Sequence, residues 1–184
     1  KGITYYLGTG FILLSLVGLI FTFYPLIQVY YFPTPIPAVA IADGEGFILS
    51  IPAIQASGEV VENVDPFNKV EYSEALKKGI AHAKGTYLPG ENGTVFLFAH
   101  SSGMPWELTR YNTIFLRLGE LKKNDNVTIH YKGQEYMYKV RESREVWPQE
   151  IGFLKDIKKD QLILQTCTPI GTDLKRLLIF ADPV

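Results

Sequence analysis

At 184 residues, with 18 Lys and Arg against 19 Asp and Glu, the chain has a formal charge of −1, and the basic excess that nucleic-acid binding requires is absent. That length suits one modest core, and a lone cysteine excludes an intramolecular disulfide.

The first element in the chain is apolar. No charged residue falls between Lys1 and Asp43, and residues 6–27 are almost wholly hydrophobic. At about 1.5 Å per residue, some twenty such residues cross a hydrocarbon layer of about 30 Å. Tyr5, Tyr6, Tyr24, Tyr30 and Tyr31 flank the run, where amphipathic rings favour the membrane interface. Pro25, then Pro33, Pro35 and Pro37, are expected to stop the helix and form a stiff extended spacer. The expected organisation is a transmembrane anchor over residues 1–32, a Pro-rich linker over 33–45 and a folded domain over 46–184. A cleaved signal peptide is the competing reading, since Ala38-Val39-Ala40 has the small-x-small form. It is disfavoured because the apolar run exceeds an ordinary signal core.

Past the spacer the chain reads as short strands. Residues 46–51 and 55–61 come first, and 71–78 has the apolar spacing of a short helix. Residues 94–99 form a β-branched and aromatic run, apolar on both alternating faces, as in a strand covered on both sides. A second small helix is expected over 113–121. Strands 126–131 and 134–142 flank Lys132-Gly133, a two-residue hairpin signal. Residues 162–166 and 177–181 complete the set, whose number and spacing point to a small closed barrel.

The last two strands carry the chemistry. If they pair as an antiparallel hairpin, Cys167 and Arg176 face each other across the mouth of its loop. His100 ends the strand over 94–99, as Cys167 ends its own. If those strands run the same way, both side chains emerge at one end. His82 is expected in a Gly-punctuated loop and reads as a packing or surface residue, and His130 shares parity with polar neighbours on a solvated face. A thiol with an ordinary pKa near ~8.5 is only a few per cent thiolate at neutral pH, and burial raises the pKa further. An imidazolium at His100 favours the thiolate and protonates a leaving amine, whereas Arg176 is always charged and donates no proton. Cys167 is thus expected to attack a peptide carbonyl, His100 to act as acid and then base, and Arg176 to hold the substrate backbone or the developing oxyanion.

Ile163-Leu164-Gln165-Thr166-Cys167, followed by Arg176 and preceded by Phe98-Ala99-His100, resembles the signature of the sortases, thiol transpeptidases of cell surfaces. The similarity extends to Ile51-Pro52-Ala53-Ile54 and to Gly79-Ile80-Ala81-His82-Ala83-Lys84-Gly85-Thr86, over residues 46–182. Ile163 stands where the family has threonine, and Ala99 where glycine is common; neither is a reacting group. The resemblance implies a mainly β protein, a closed eight-stranded sortase-type barrel with short helices behind one N-terminal transmembrane helix. It implies a single-pass cell-membrane protein with its catalytic domain extracytoplasmic. The implied reaction is cleavage of a C-terminal LPxTG-like sorting signal of an exported protein through a Cys167 thioester. An amine acceptor, either a cell-wall precursor or a pilin lysine, then resolves the thioester. Substrate contacts are expected from Ser101, Thr166 and Trp147, the last within a segment, residues 147–160, that lies over the groove in the family. No metal or cofactor is called for: Glu59, Glu62 and Asp65 read as solvated acids. Asp65-Pro66-Phe67 is similar to the lid of pilus-building sortases but follows the first strands instead of preceding them, and reads as a turn. The alternative function is a non-catalytic, membrane-tethered barrel that binds peptide or cell-wall polymer.

Overall fold

The computed structural model describes residues 2–31, 46–101 and 113–184. Helix α1 (Ile3–Tyr31) opens the chain, and its segment Ile3–Tyr24, 22 residues and about 33 Å long, is long and apolar enough to cross a membrane. Three of its polar side chains are satisfied within the helix. Thr9, Ser15 and Thr22 donate to the carbonyls of Tyr5, Phe11 and Gly18 at 2.8–2.9 Å, an arrangement that needs no water. The expected stop at Pro25 is not observed, since α1 continues to Tyr31. A proline lacks only one amide of the ladder, and a long helix absorbs that loss. The expected spacer over 33–45, with Pro33, Pro35, Pro37 and Ala38–Ala40, lies outside the described residues.

Eight strands among the described residues close into a barrel: β1 (Phe47–Ile51), β2 (Ala56–Val64), β3 (Ile80–Ala83), β4 (Thr94–Phe98), β5 (Asn126–Tyr131), β6 (Gln134–Val146), β7 (Gln161–Thr168) and β8 (Lys175–Pro183). Their order around the barrel is β1-β2-β3-β4-β7-β8-β6-β5, with β1 also pairing β5. The β2/β3 and β4/β7 pairs are parallel, and every other pair is antiparallel. A parallel pair needs a crossover, and α2 (Lys69–Lys78) supplies the one between β2 and β3. The side chain of Asn68 accepts from the Glu71 amide at 3.3 Å while the Glu71 carboxylate accepts from the Asp65 amide, so the first turn of α2 is capped from both directions. At its other end Gly79 lies so close to β2 that an added Cβ would sit 2.3 Å from the Glu59 carbonyl oxygen.

Local chemistry explains the remaining elements. Val127, Ile129 and Tyr131 of β5 point inward while their neighbours do not, and Lys132 and Gly133 turn the chain with φ of 49° and 75°. Strand β6 runs past residue 142 to Val146, because a bulge at Arg141 re-registers it against β8. Arg141 pairs there with the Asp182 carboxylate and donates to Gln161 Oε1 at 3.1 Å. The helix expected over 113–121 is instead a series of i→i+3 turns ending in a short 3₁₀ segment (Leu118–Glu120), which brings Phe115 and Leu118 together into the core.

His82 corrects a further expectation, since it lies in β3 and not in a loop, and is fully buried. Its Nδ1 accepts the Asn63 amide at 3.3 Å and its Nε2 faces the Tyr87 carbonyl at 3.0 Å, which assigns the proton to Nε2. The ring therefore ties the bulged end of β2, where Asn63 has φ 57°, to the loop leading into β4. Burial lowers its pKa from the ordinary 6.5.

Candidate active site

Three strands of the barrel converge on one cleft. In the parallel β4/β7 pair Phe98 is level with Gln165, and both chains continue in the same direction to bring His100 and Cys167 to one cleft. The segment that carries His100 is held by two bonds. The Ala99 amide donates to the Gln165 carbonyl at 3.1 Å, and the Thr166 hydroxyl donates to the Ala99 carbonyl at 2.9 Å. Across the other edge of β7, Cys167 stands directly opposite Arg176 of β8. Directly opposed residues on one sheet face hold their Cβ atoms about 4.5–5.5 Å apart. Both conditional expectations from the sequence, the hairpin register and the common strand direction, are met.

The cleft has a volume of about 770 Å³, and His100, Cys167 and Arg176 all line it. Phe96 and Phe98, which share parity with His100, and Gln165, which shares it with Cys167, form part of that wall. Tyr72 and Leu76, one turn apart on α2, supply an apolar side, and Ser101, Thr166 and Asp173 add polar groups.

The sortase-domain family model matches residues 49–184. The chain belongs to the sortase family. Sortase D of Bacillus subtilis (strain 168) is 31% identical to it over 141 residues, which cover 74% of this chain and 63% of that protein. Sortase A of Bacillus anthracis is 25% identical over 137 residues, covering 74% and 58%. The chain thus spans about three fifths of the length of these curated relatives. Among solved structures, sortase C-1 from Actinomyces oris matches with a TM-score of 0.64 at 30% identity, covering 75% of this chain and 73% of that one. The closed barrel is the architecture of such structures. Sortases are cysteine transpeptidases, and Cys167 is the sole cysteine of this one.

Electrostatics in the sortase cleft oppose ionisation of the thiol. Burial pushes the Cys167 pKa up, the Arg176 guanidinium pulls it back, and the charge of Asp173 pushes it up again. Burial also lowers the His100 pKa from 6.5. Both shifts disfavour the charged thiolate–imidazolium pair, and the Arg176 guanidinium partly offsets this at the sulfur. Arg176 is fixed by Nη1, which donates to the carbonyls of Asp173 at 2.8 Å and Lys175 at 3.3 Å. Among the described residues its Nε and Nη2 donors have no protein acceptor, so they are available to a peptide carbonyl.

The other sequence candidates separate. Ser101 and Thr166 line the cleft, but the Thr166 hydroxyl is already committed to Ala99. Trp147 is not in the lining. It is 49% exposed, with the Lys175 Nζ 5.5 Å from its ring centre, and Lys175 alternates to the opposite face of β8 from Arg176. From the segment over 147–160 it is Phe153 that reaches the site's surroundings, stacking on Phe96 at 6.0 Å. Asp65-Pro66-Phe67 is a turn, with the Phe67 amide bonded to Asp65 Oδ1 at 2.9 Å, and Pro66 reaches the cleft rim while Phe67 is 91% exposed. Sequence reasoning missed Gln165, which strand parity with Cys167 signals, and Tyr72 and Leu76, which helical spacing pairs. Asp173, in an irregular loop, had no such signal.

Proposed function

We propose that this sortase is a membrane-anchored cysteine transpeptidase whose reacting groups are Cys167, His100 and Arg176. The observation that carries the reading is their convergence: Cys167 faces Arg176 across one strand edge, and His100, from the end of the strand at the other edge, lines the same cleft. His100 takes the Cys167 proton as the sulfur attacks the carbonyl carbon of a peptide bond within an LPxTG-like C-terminal sorting signal of an exported protein. Arg176 donors hold that carbonyl oxygen as it becomes an oxyanion, a contribution typically worth about 3–4 kcal/mol of barrier. The C–N bond then breaks, the leaving amine takes the proton from the imidazolium, and a Cys167 thioester remains. An amine acceptor, a cell-wall precursor or a pilin lysine, resolves it. Ser101 and the apolar side of the cleft contact the peptide, with Thr166 contributing through the backbone it braces.

The division that goes with this role is an anchor over 1–32, a linker over 33–45 and a catalytic barrel over 46–184. The apolar girth of α1 supports a membrane anchor, and an extracytoplasmic barrel behind a single pass goes with the transpeptidase role. The test is turnover of a quenched fluorescent library of sorting peptides by the full chain in detergent micelles, with and without triglycine. The expected result is peptide cleavage, a ligated product with triglycine, and loss of both in Cys167→Ala. Saturable peptide binding with no turnover would instead identify the non-catalytic binding barrel.

A further inference from the structure

The cleft contains a charged group that thioester formation does not use and that works against it. Asp173 lies in the β7–β8 loop and lines the same cavity as Cys167, His100 and Arg176. Its backbone carbonyl is gripped by Arg176 Nη1 at 2.8 Å, which holds this residue at the rim. Its carboxylate has neither hydrogen bond nor ion pair among the described residues. The adjacent Lys175 is engaged elsewhere, paired with Glu145 at 3.1 Å and lying over Trp147. The charge of Asp173 disfavours the Cys167 thiolate. Asp173 is exposed, so water screens much of that penalty, and its unpaired carboxylate stands open at the cleft to an incoming cation.

Such a cation does enter in the proposed reaction. A primary amine acceptor is an ammonium at neutral pH, since α-amino and lysine amines titrate near ~8 and ~10.4. We propose that Asp173 is the docking group for the acceptor's ammonium, a positioning residue for resolution of the thioester. The inference rests on the transpeptidase reading and adds to it a subsite for cationic primary amines. The docked ammonium releases one proton to water, and the freed lone pair attacks the thioester carbon. The C–N bond forms, the C–S bond breaks with its electron pair returning to sulfur, and the second nitrogen proton passes through neutral His100 to the Cys167 sulfur. The summed change is thioester plus ammonium to amide, thiol and one released proton. Asp173 thereby favours a charged amine over water, the partition that separates transfer from hydrolysis.

The test compares the full-length wild type with Asp173→Asn and Asp173→Glu at pH 7. First-turnover acylation by the best library peptide is measured, and then partition of the acyl-enzyme between triglycine, whose amine is cationic, and hydroxylamine, which is neutral. Asp173→Asn is expected to acylate faster, because a charge opposing the thiolate is gone. Its triglycine-to-hydroxylamine product ratio should fall roughly twofold to fivefold, the scale of one exposed charge pair. Asp173→Glu should restore most of the preference. An unchanged ratio in Asp173→Asn, or equal losses with both acceptors, overturns the inference. Absence of any acyl-enzyme in the wild type overturns the transpeptidase reading itself, and the acceptor subsite with it.

Discussion

Replacing Thr166 by valine deletes one hydroxyl at nearly constant shape and tests how the site is braced. Thr166 is buried, and its hydroxyl is the recorded donor to the Ala99 carbonyl, at 2.9 Å, on the segment that ends in His100. Ala99 is itself largely buried on the wall of the cleft, so its carbonyl would exchange that partner for at most cleft water. Leaving a buried acceptor unsatisfied costs about 1–3 kcal/mol. The Ala99 amide keeps its bond to Gln165, so the barrel should fold with one tie missing next to His100. Urea unfolding of Thr166→Val should show a stability loss of about 1–3 kcal/mol with an unchanged slope. First-turnover acylation should fall by roughly tenfold or more, since small misplacements of a reacting group are expensive in rate. Thr166→Ser keeps the donor and should stay within a few-fold of wild type. A valine variant with unaltered stability and unaltered rate would refute the reasoning.

Other outcomes follow from the same geometry. Arg176→Ala should slow acylation several hundredfold or more in single-turnover assays, and Arg176→Lys should recover only part of this, because a point charge does not replace a planar fork. Alkylation of Cys167 by iodoacetamide should rise with pH later than that of an unperturbed thiol near ~8.5, and Arg176→Ala should delay it further, since the guanidinium pulls the thiol pKa down. A plateau below the ordinary range would contradict this. For His82 the folded pKa is lower than the unfolded value of 6.5, so between the two the unfolded chain binds more protons and stability increases with pH. The stabilising difference is fully present above about 6.5 and is lost as the pH falls toward the depressed folded value. Urea midpoints should drop below pH 6.5, less steeply in His82→Gln.

Where the sequence was informative, an alternating pattern tied a side chain to a strand end. Cys167 and Arg176 bracket a loop between two apolar runs, and His100 closes a third, so pairing direction alone brought them together. Patterns too short or too irregular misled. The four residues of β3 cannot display a period, and the glycines around His82 suggested a loop. The extension of β6 depends on a bulge whose partner, Asp182, is 41 residues away in sequence, a pairing no local pattern can signal. Trp147 was chosen by segment, and its ring lies beside Lys175, on the face of β8 away from Arg176. Asp173 matters through the loop that Arg176 holds, a tertiary fact with no sequence periodicity.

The central claim is that Cys167 becomes acylated because His100 and Arg176 meet it at one rim. Its most direct test is intact-mass and peptide-mapping spectrometry of the full chain after brief incubation with the sorting-peptide library. The account predicts a hydroxylamine-labile acyl adduct on Cys167, sharply reduced in His100→Ala and in Arg176→Ala. An adduct that forms equally well without His100 and Arg176, or no adduct with any peptide, would contradict it.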